Sequence, residues 1–177
     1  MKKTILTITA ALLISTSAFA ESVAEKTGVN STLGISPTTA DFVKEAAMSD
    51  MTEIAAAKVG KERGNAQERT FASQMITDHT KTTDELKAMA SAGAKVAISS
   101  ALDSSSQSKV DKLKDAKPDD FSSDFDSMQV SANKDAVSLS ERYAKGGEDP
   151  KLKDWAGKTL PALQHHLEMA QNLGKTK

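Results

Sequence analysis

In four stretches of this chain the apolar and small residues recur at steps of three and four, and residues that start or stop helices bound each stretch. That pattern excludes almost everything but an all-α fold. Phe42, Ala46, Ser49, Glu53, Ala56 and Gly60 share one face of a helix predicted from about Thr39 to Arg63 and ended by Gly64. Asn65 with Glu68 three residues later predicts a capping pair for a second helix, Ala66 to about Ala92, closed by Gly93. Pro118 and Asp119 open a third, whose stripe is Phe121, Phe125, Met128, Ala132, Ala136, Leu139 and Tyr143, and Gly146-Gly147 stops it. Asp149 before Pro150 is an N-cap followed by proline at the first helical position, and the fourth helix runs to about Leu173. Between the second and third lie a Ser-rich connection, Ala97 to Ser108, and a short helix with mixed charges near Lys109 to Ala116.

Two short connections and one long central one predict an up-and-down or ferritin-like four-helix bundle. No strand pattern competes. With only six aromatic residues after position 20 and abundant alanine, the helices should pack closely around a thin core. Pro161 falls inside the fourth helix, where its ring crowds the carbonyl of Gly157, and a mild kink is expected.

The N-terminus has a different character. Lys2 and Lys3 precede an apolar run from Ile5 to Ile14, and Ala18-Phe19-Ala20 offers a small-x-small cleavage pattern, so residues 1–20 read as a signal peptide cut after Ala20. The run is too short for a membrane span, which needs about 20 apolar residues. The expected destination is the periplasm or the medium, with no integral membrane association. Residues 21–36, rich in Ser, Thr and Gly, read as a flexible leader, and residues 37–175 as the bundle domain. The chain has no cysteine, so disulfides, thiol catalysis, thiolate metal sites and a lipoprotein anchor are all excluded. Removing Lys2 and Lys3 takes the formal charge from −1 to −3, a mixed-sign balance that gives nucleic acid no reason to bind. A homo-oligomer stays open.

Chemistry must come from polar groups that point inward. Winding the second helix at about 100° per residue puts His79 amid Phe71, Ala72, Met75, Ile76, Leu86 and Ala90, with Asp78 at the edge of that arc. On the fourth helix His166 falls among Leu152, Trp155, Ala156, Leu163 and Ala170, and His165 points away. Glu53 shares the face of Phe42. Burying these groups unpaired is expensive. Glu53, His79 and His166 form a polar layer that sets helix register, or hold one divalent metal ion, zinc, iron or copper, with Asp78 as a supporting group or ligand, or border a site for a small apolar or polar ligand between the helices. Acid-base chemistry needs a substrate pocket or nucleophile that nothing in the sequence identifies.

Other signals point to ordinary roles. His165-x-x-Glu168 reads as a solvated pair and Trp155 as a core anchor. The methionines at 48, 51, 75, 89, 128 and 169 read as dispersed core fillers and not as a copper-binding cluster.

The string Thr70-Phe71-Ala72-Ser73-Gln74-Met75-Ile76-Thr77-Asp78-His79, then Glu85-Leu86, Met128-Gln129-Val130 and Leu160-Pro161-Ala162-Leu163-Gln164-His165-His166, resembles an exported bacterial family catalogued as domain of unknown function 4142. The resemblance spans about Asp41 to Leu173 and implies a ferritin-like fold more securely than any function. It also implies a polar centre of Glu53, Asp78, His79 and His166. The family's usual histidine on the third helix is Asn133 here, and its tyrosine eight residues earlier is Phe125. A ferritin-type di-iron centre needs Glu-x-x-His on two helices, and the positions three before His79 and His166 are Ile76 and Leu163. The expectation is therefore a periplasmic, non-catalytic binding or envelope-stress protein, then a mononuclear metal protein, and third an oxidase-like enzyme. Glu53, His79, Asn133 and His166 should share one level, with the two rings within about 12 Å if one ion with ligand bonds of about 2 Å is to join them.

Overall fold

The computed structural model describes residues 22–175, and among them the regular structure is helical throughout. The expected signal peptide, residues 1–20, lies outside the described residues. Four long helices dominate: α3 (Thr39–Arg63), α4 (Ala66–Met89), α6 (Pro118–Gly146) and α7 (Pro150–Leu173), with α1 (Val23–Lys26), α2 (Val29–Leu33) and α5 (Ser104–Asp115) as shorter pieces. None is long and apolar enough to cross a membrane.

The ends follow local chemistry. Thr38 caps α3, and Asn65 with Glu68 makes a complete capping box on α4. Asp149 accepts from the amides of Lys151 and Leu152 at the head of α7. Pro161 sits within an α7 that continues to Leu173. α4 ends earlier than its spacing suggests, at Met89, passing into a π-helical turn at Ala90–Ala94. α5 begins before the Ser-rich stretch is finished, because Asp103 caps it through the amide of Ser106.

Thr39 meets Tyr143 and Gly60 meets Phe125, so α3 runs antiparallel to α6. Asp50 reaches Thr83, and Gly64 lies by Glu68, which makes α3 and α4 antiparallel as well. Gln67–Asn172 and Glu85–Trp155 set α4 antiparallel to α7. The order is up, down, down, up. Since α4 and α6 run the same way, residues 95–117 must return along the length of the molecule, which is why that connection is long. Arg63 fastens its far end: the guanidinium donates to the carbonyls of Leu113 (2.9 Å) and Ala116 (2.5 Å) and lies 4.6 Å from the Phe121 ring centroid.

Two apolar clusters occupy opposite ends. One gathers Ala56, Phe71, Met75, Val110, Phe125 and Leu173, and the other Phe42, Ala47, Leu86, Tyr143, Leu152 and Ala156. Phe42 and Tyr143 stack with centroids 3.9 Å apart. Each large side chain buried this way contributes about 1.5 to 3 kcal/mol. Trp155 is half-buried at the rim, packed against the second cluster and edge-on to Phe42 with centroids 6.2 Å apart, and its indole N–H also donates to Glu85 at 2.8 Å, which ties α7 to α4.

Residues 22–36, read above as a flexible leader, carry α1 and α2 and are fastened to the long helices. The Glu25 carboxylate meets the Arg142 guanidinium at 2.5 Å, both largely buried, and Arg142 also donates to the Ile35 carbonyl. Glycines at positive φ, Gly28 and Gly34, flank α2. The fastening depends on a partner more than a hundred residues away, which composition does not reveal.

Candidate functional site

Between the two apolar clusters, every long helix turns a polar residue inward at the same level. On α3, Asp50 and Glu53 lie between Ala47 and Ala56; on α4, His79 and Thr83 lie between Met75 and Leu86. Gln129 and Asn133 occupy the interval on α6 between Phe125 and Ala136, and His166 that on α7 between Leu163 and Ala170. Glu53 and His79 are 1 % exposed, Gln129 and Asn133 wholly buried, and His166 3 % exposed. The imidazole rings of His79 and His166 are 5.3 Å apart between centroids. Asp78 stands beside them with its side chain one-third exposed. His165 faces solvent, 3.9 Å from exposed Glu168.

Each inward histidine is oriented by a carboxylate. His79 Nδ1 lies 2.7 Å from Asp50 Oδ1, and the other Asp50 oxygen accepts from the hydroxyls of Thr82 (2.9 Å) and Thr83 (3.1 Å). His166 Nε2 lies 2.8 Å from Asp78 Oδ2, which also accepts from the Gln74 amide at 2.7 Å. Because a carboxylate can only accept, the ring nitrogen facing it carries the proton. The opposite nitrogens, His79 Nε2 and His166 Nδ1, are buried with no hydrogen-bond partner.

Glu53 Oε1 accepts from Ser49 at 3.2 Å, while Oε2 is buried without a hydrogen bond, 3.4 Å from His79 Nε2. The Gln129 amide and Asn133 Oδ1 are also buried and unsatisfied; the Asn133 amide nitrogen donates to the Gln129 carbonyl. So many unmet buried polar atoms at one level are costly, roughly 1 to 3 kcal/mol each. A stable fold that keeps them invites a ligand. Among the described residues no group of three or more His, Cys, Asp or Glu stands at the spacing of a complete metal cage.

Burial pushes the Glu53 carboxyl up to about 7, with the charge of Asp50 adding to it and His79 opposing. Burial alone would lower His79, but Glu53 and the hydrogen-bonded Asp50 outweigh it and raise the imidazole to about 9. His166 is lowered by burial and by the nearby His79. Although burial favours its neutral form, Asp78 is lowered overall by the hydrogen bonds from Gln74 and His166. The centre thus pairs a proton-holding His79 with a neutral His166 at neutral pH, and perturbed groups of this kind occur both at functional sites and in structural ion-pair networks.

The sequence-based set of Glu53, His79, Asn133 and His166, with Asp78 at the margin, is brought together here. Asp50 and Gln129 were missed. Their signal was present in the spacing, since Asp50 precedes Glu53 by three residues and Gln129 precedes Asn133 by four, so each shares a face with a residue already singled out. The methionines also divide differently than expected. Met75 is fully buried, and Met89, Met128 and Met169 pack against the apolar clusters, but Met48 and Met51 belong to neither cluster and are three residues apart.

A family described as "Domain of unknown function (DUF4142)" has a model that matches residues 24–173, so the match takes in α1 through α7. Comparison with curated proteins and with solved structures gives no match.

Proposed function

We propose, from the premise that the chain belongs to the DUF4142 family, that it is an exported, non-catalytic binding protein of the cell envelope with a ferritin-like four-helix fold, and that its buried centre takes one divalent transition-metal ion. The ligands in this reading are His79 Nε2, His166 Nδ1 and Glu53 Oε2, with Asn133 or Gln129 able to supply an amide oxygen. What carries it is that each inward imidazole gives one nitrogen to a carboxylate and keeps the other buried and unmet. Metal-ligating histidines show this arrangement almost without exception, because the outer carboxylate sets the tautomer and strengthens the donor. The 3.4 Å between His79 Nε2 and Glu53 Oε2 is also close to the edge of a tetrahedron with bonds of about 2.0 to 2.1 Å, which is about 3.3 Å.

The up, down, down, up order with one long connection supports the ferritin-like assignment, since such folds have one crossover. Export rests on the N-terminal pattern ending at Ala20, and protein recovered from the periplasm should begin at Glu21 by intact mass.

A metal-free polar layer is the second reading, supported by the absence of a complete three-ligand group among the described residues. Elemental analysis of the untagged protein, purified from its native periplasm without chelator, separates the two. About one zinc, iron or copper per chain is expected, and it should be lost from His166→Ala. A metal-free preparation that also fails to take up zinc in solution would leave only the polar layer.

A further inference from the structure

A cleft of about 1150 Å³ lies between α3 and α6, bounded by Gly28 and Ser31 of the N-terminal segment and by residues 97–103 of the long connection. Its α3 wall runs from Lys44 and Glu45 through Met48, Met51 and Thr52 to Glu53. Met48 and Met51 are half-buried there and take part in neither apolar cluster, whereas the other four methionines of the described residues are packed in or against one. A methionine serving as a gap-filler touches the core it fills. These two instead line a cavity.

Residues three apart on a helix have Cβ atoms about 5 to 6 Å apart, and the flexible thioether stems let two sulfurs close on a single ion between them. Thioethers are soft donors that select copper(I) and discriminate against the hard divalent cations that carboxylates prefer. A monovalent soft ion also suits a half-buried wall better than a divalent one, because the desolvation cost of an ion grows with its charge.

We infer that Met48 and Met51 form a soft-metal site on the wall of this cleft, one that takes a single copper(I) ion and is separate from the imidazole and carboxylate centre. The inference does not rest on the divalent reading of that centre. Glu53 borders both places: it lines the cleft with Met48 and Met51, and its Oε2 lies 3.4 Å from His79 Nε2.

The test uses the full mature chain without oxygen, with copper(I) offered as its bicinchoninate complex and silver(I) as a redox-inert probe. The protein should withdraw copper(I) from the dye. In a sample carrying ¹³C-methyl methionine, silver(I) should shift the Met48 and Met51 methyl resonances and leave those of Met75, Met89, Met128 and Met169 in place. The double variant Met48→Leu, Met51→Leu keeps volume and apolarity, a swap cores tolerate, and should lose at least about tenfold in copper(I) affinity, or about 1.4 kcal/mol. Zinc binding should be unchanged in that variant, and His166→Ala should keep its copper(I) binding. Failure of the native chain to compete with the dye, silver shifts at other methionines, or a double variant within twofold of the native affinity would each overturn the inference. If the double variant misfolds, the methyl spectrum of the native chain decides alone.

Discussion

His79 Nδ1 and Asp50 Oδ1 are 2.7 Å apart across the α3–α4 interface, and the second Asp50 oxygen is held by Thr82 and Thr83. Asp50 therefore has no freedom to turn away, and it dictates that the opposite nitrogen of His79 faces Glu53. Asp50→Asn can present its amide nitrogen or its oxygen but not a charge. It should lower zinc affinity roughly 10- to 100-fold, as loss of an outer carboxylate usually does, and destabilise the metal-free protein by about 1 to 3 kcal/mol. Competition titration and urea unfolding measure the two effects. Unchanged zinc affinity would show that His79 is not a ligand.

His166 and His165 are adjacent in sequence but opposite in environment, one 3 % exposed and the other 67 % exposed in its side chain. A metal bound only by the folded form at a hundredfold excess over Kd adds about 2.7 kcal/mol, or roughly 5 to 10 °C in Tm for a domain of this size. His166→Ala should abolish that shift and His165→Ala should preserve it. With no metal site, zinc moves neither variant nor the native chain, and His166→Ala shows only its own loss of about 1 to 3 kcal/mol from a void and an unmet Asp78.

Metal-free protein should lose stability as the solution turns alkaline. His79 is raised from its ordinary 6.5 to about 9, so its contribution is complete below pH 6.5 and disappears as pH rises through 9. Glu53, raised from 4.5 to about 7, acts in the same direction over a lower range. The charged or titratable groups facing this pair are Asp50 from α3, Asp78 from α4 and His166 from α7; α6 presents only the neutral Gln129 and Asn133. His166 and Asp78, both lowered, instead cost stability as pH falls below their ordinary values of 6.5 and 3.8. Thermal melts in chelator should show Tm falling from pH 6.5 to 9, with a shallower fall in His79→Gln. A Tm that rises over that interval would contradict the assignment.

Gly60 permits the close approach of α3 to α6. A Cβ there would lie 2.5 Å from Phe125 Cε2, a ring held by Phe71 and Phe121 on either side. Gly60→Ala gains up to about 1 kcal/mol in helix propensity, but overpacking costs about 1 to 3 kcal/mol, and the rigid ring puts this site toward the upper end. Urea unfolding should show net destabilisation. A more stable variant would mean that the two helices are less tightly apposed.

What the sequence by itself determined is local. Periods of three and four, with Asn65, Asp149, Pro118 and Gly64 as punctuation, specify which residues are helical and which side of each helix is apolar. Winding those helices is enough to turn Glu53, His79 and His166 inward, because a side chain's direction on a helix depends only on its own position, whereas Asn133 came from the family resemblance, the wound stripe having favoured its neighbours Met128 and Ala132. The tertiary structure decided which inward residues meet. Asp50 was passed over because its worth lies in His79, 29 residues away, and Met48 and Met51 looked like core until the cleft beside them appeared. The segment at 22–36 looked structureless because what holds it, Arg142, sits on α6. Helix formation is encoded within a few turns of chain, whereas the free nitrogen of a buried imidazole is set by a partner from another helix, and only the packed molecule brings the two together.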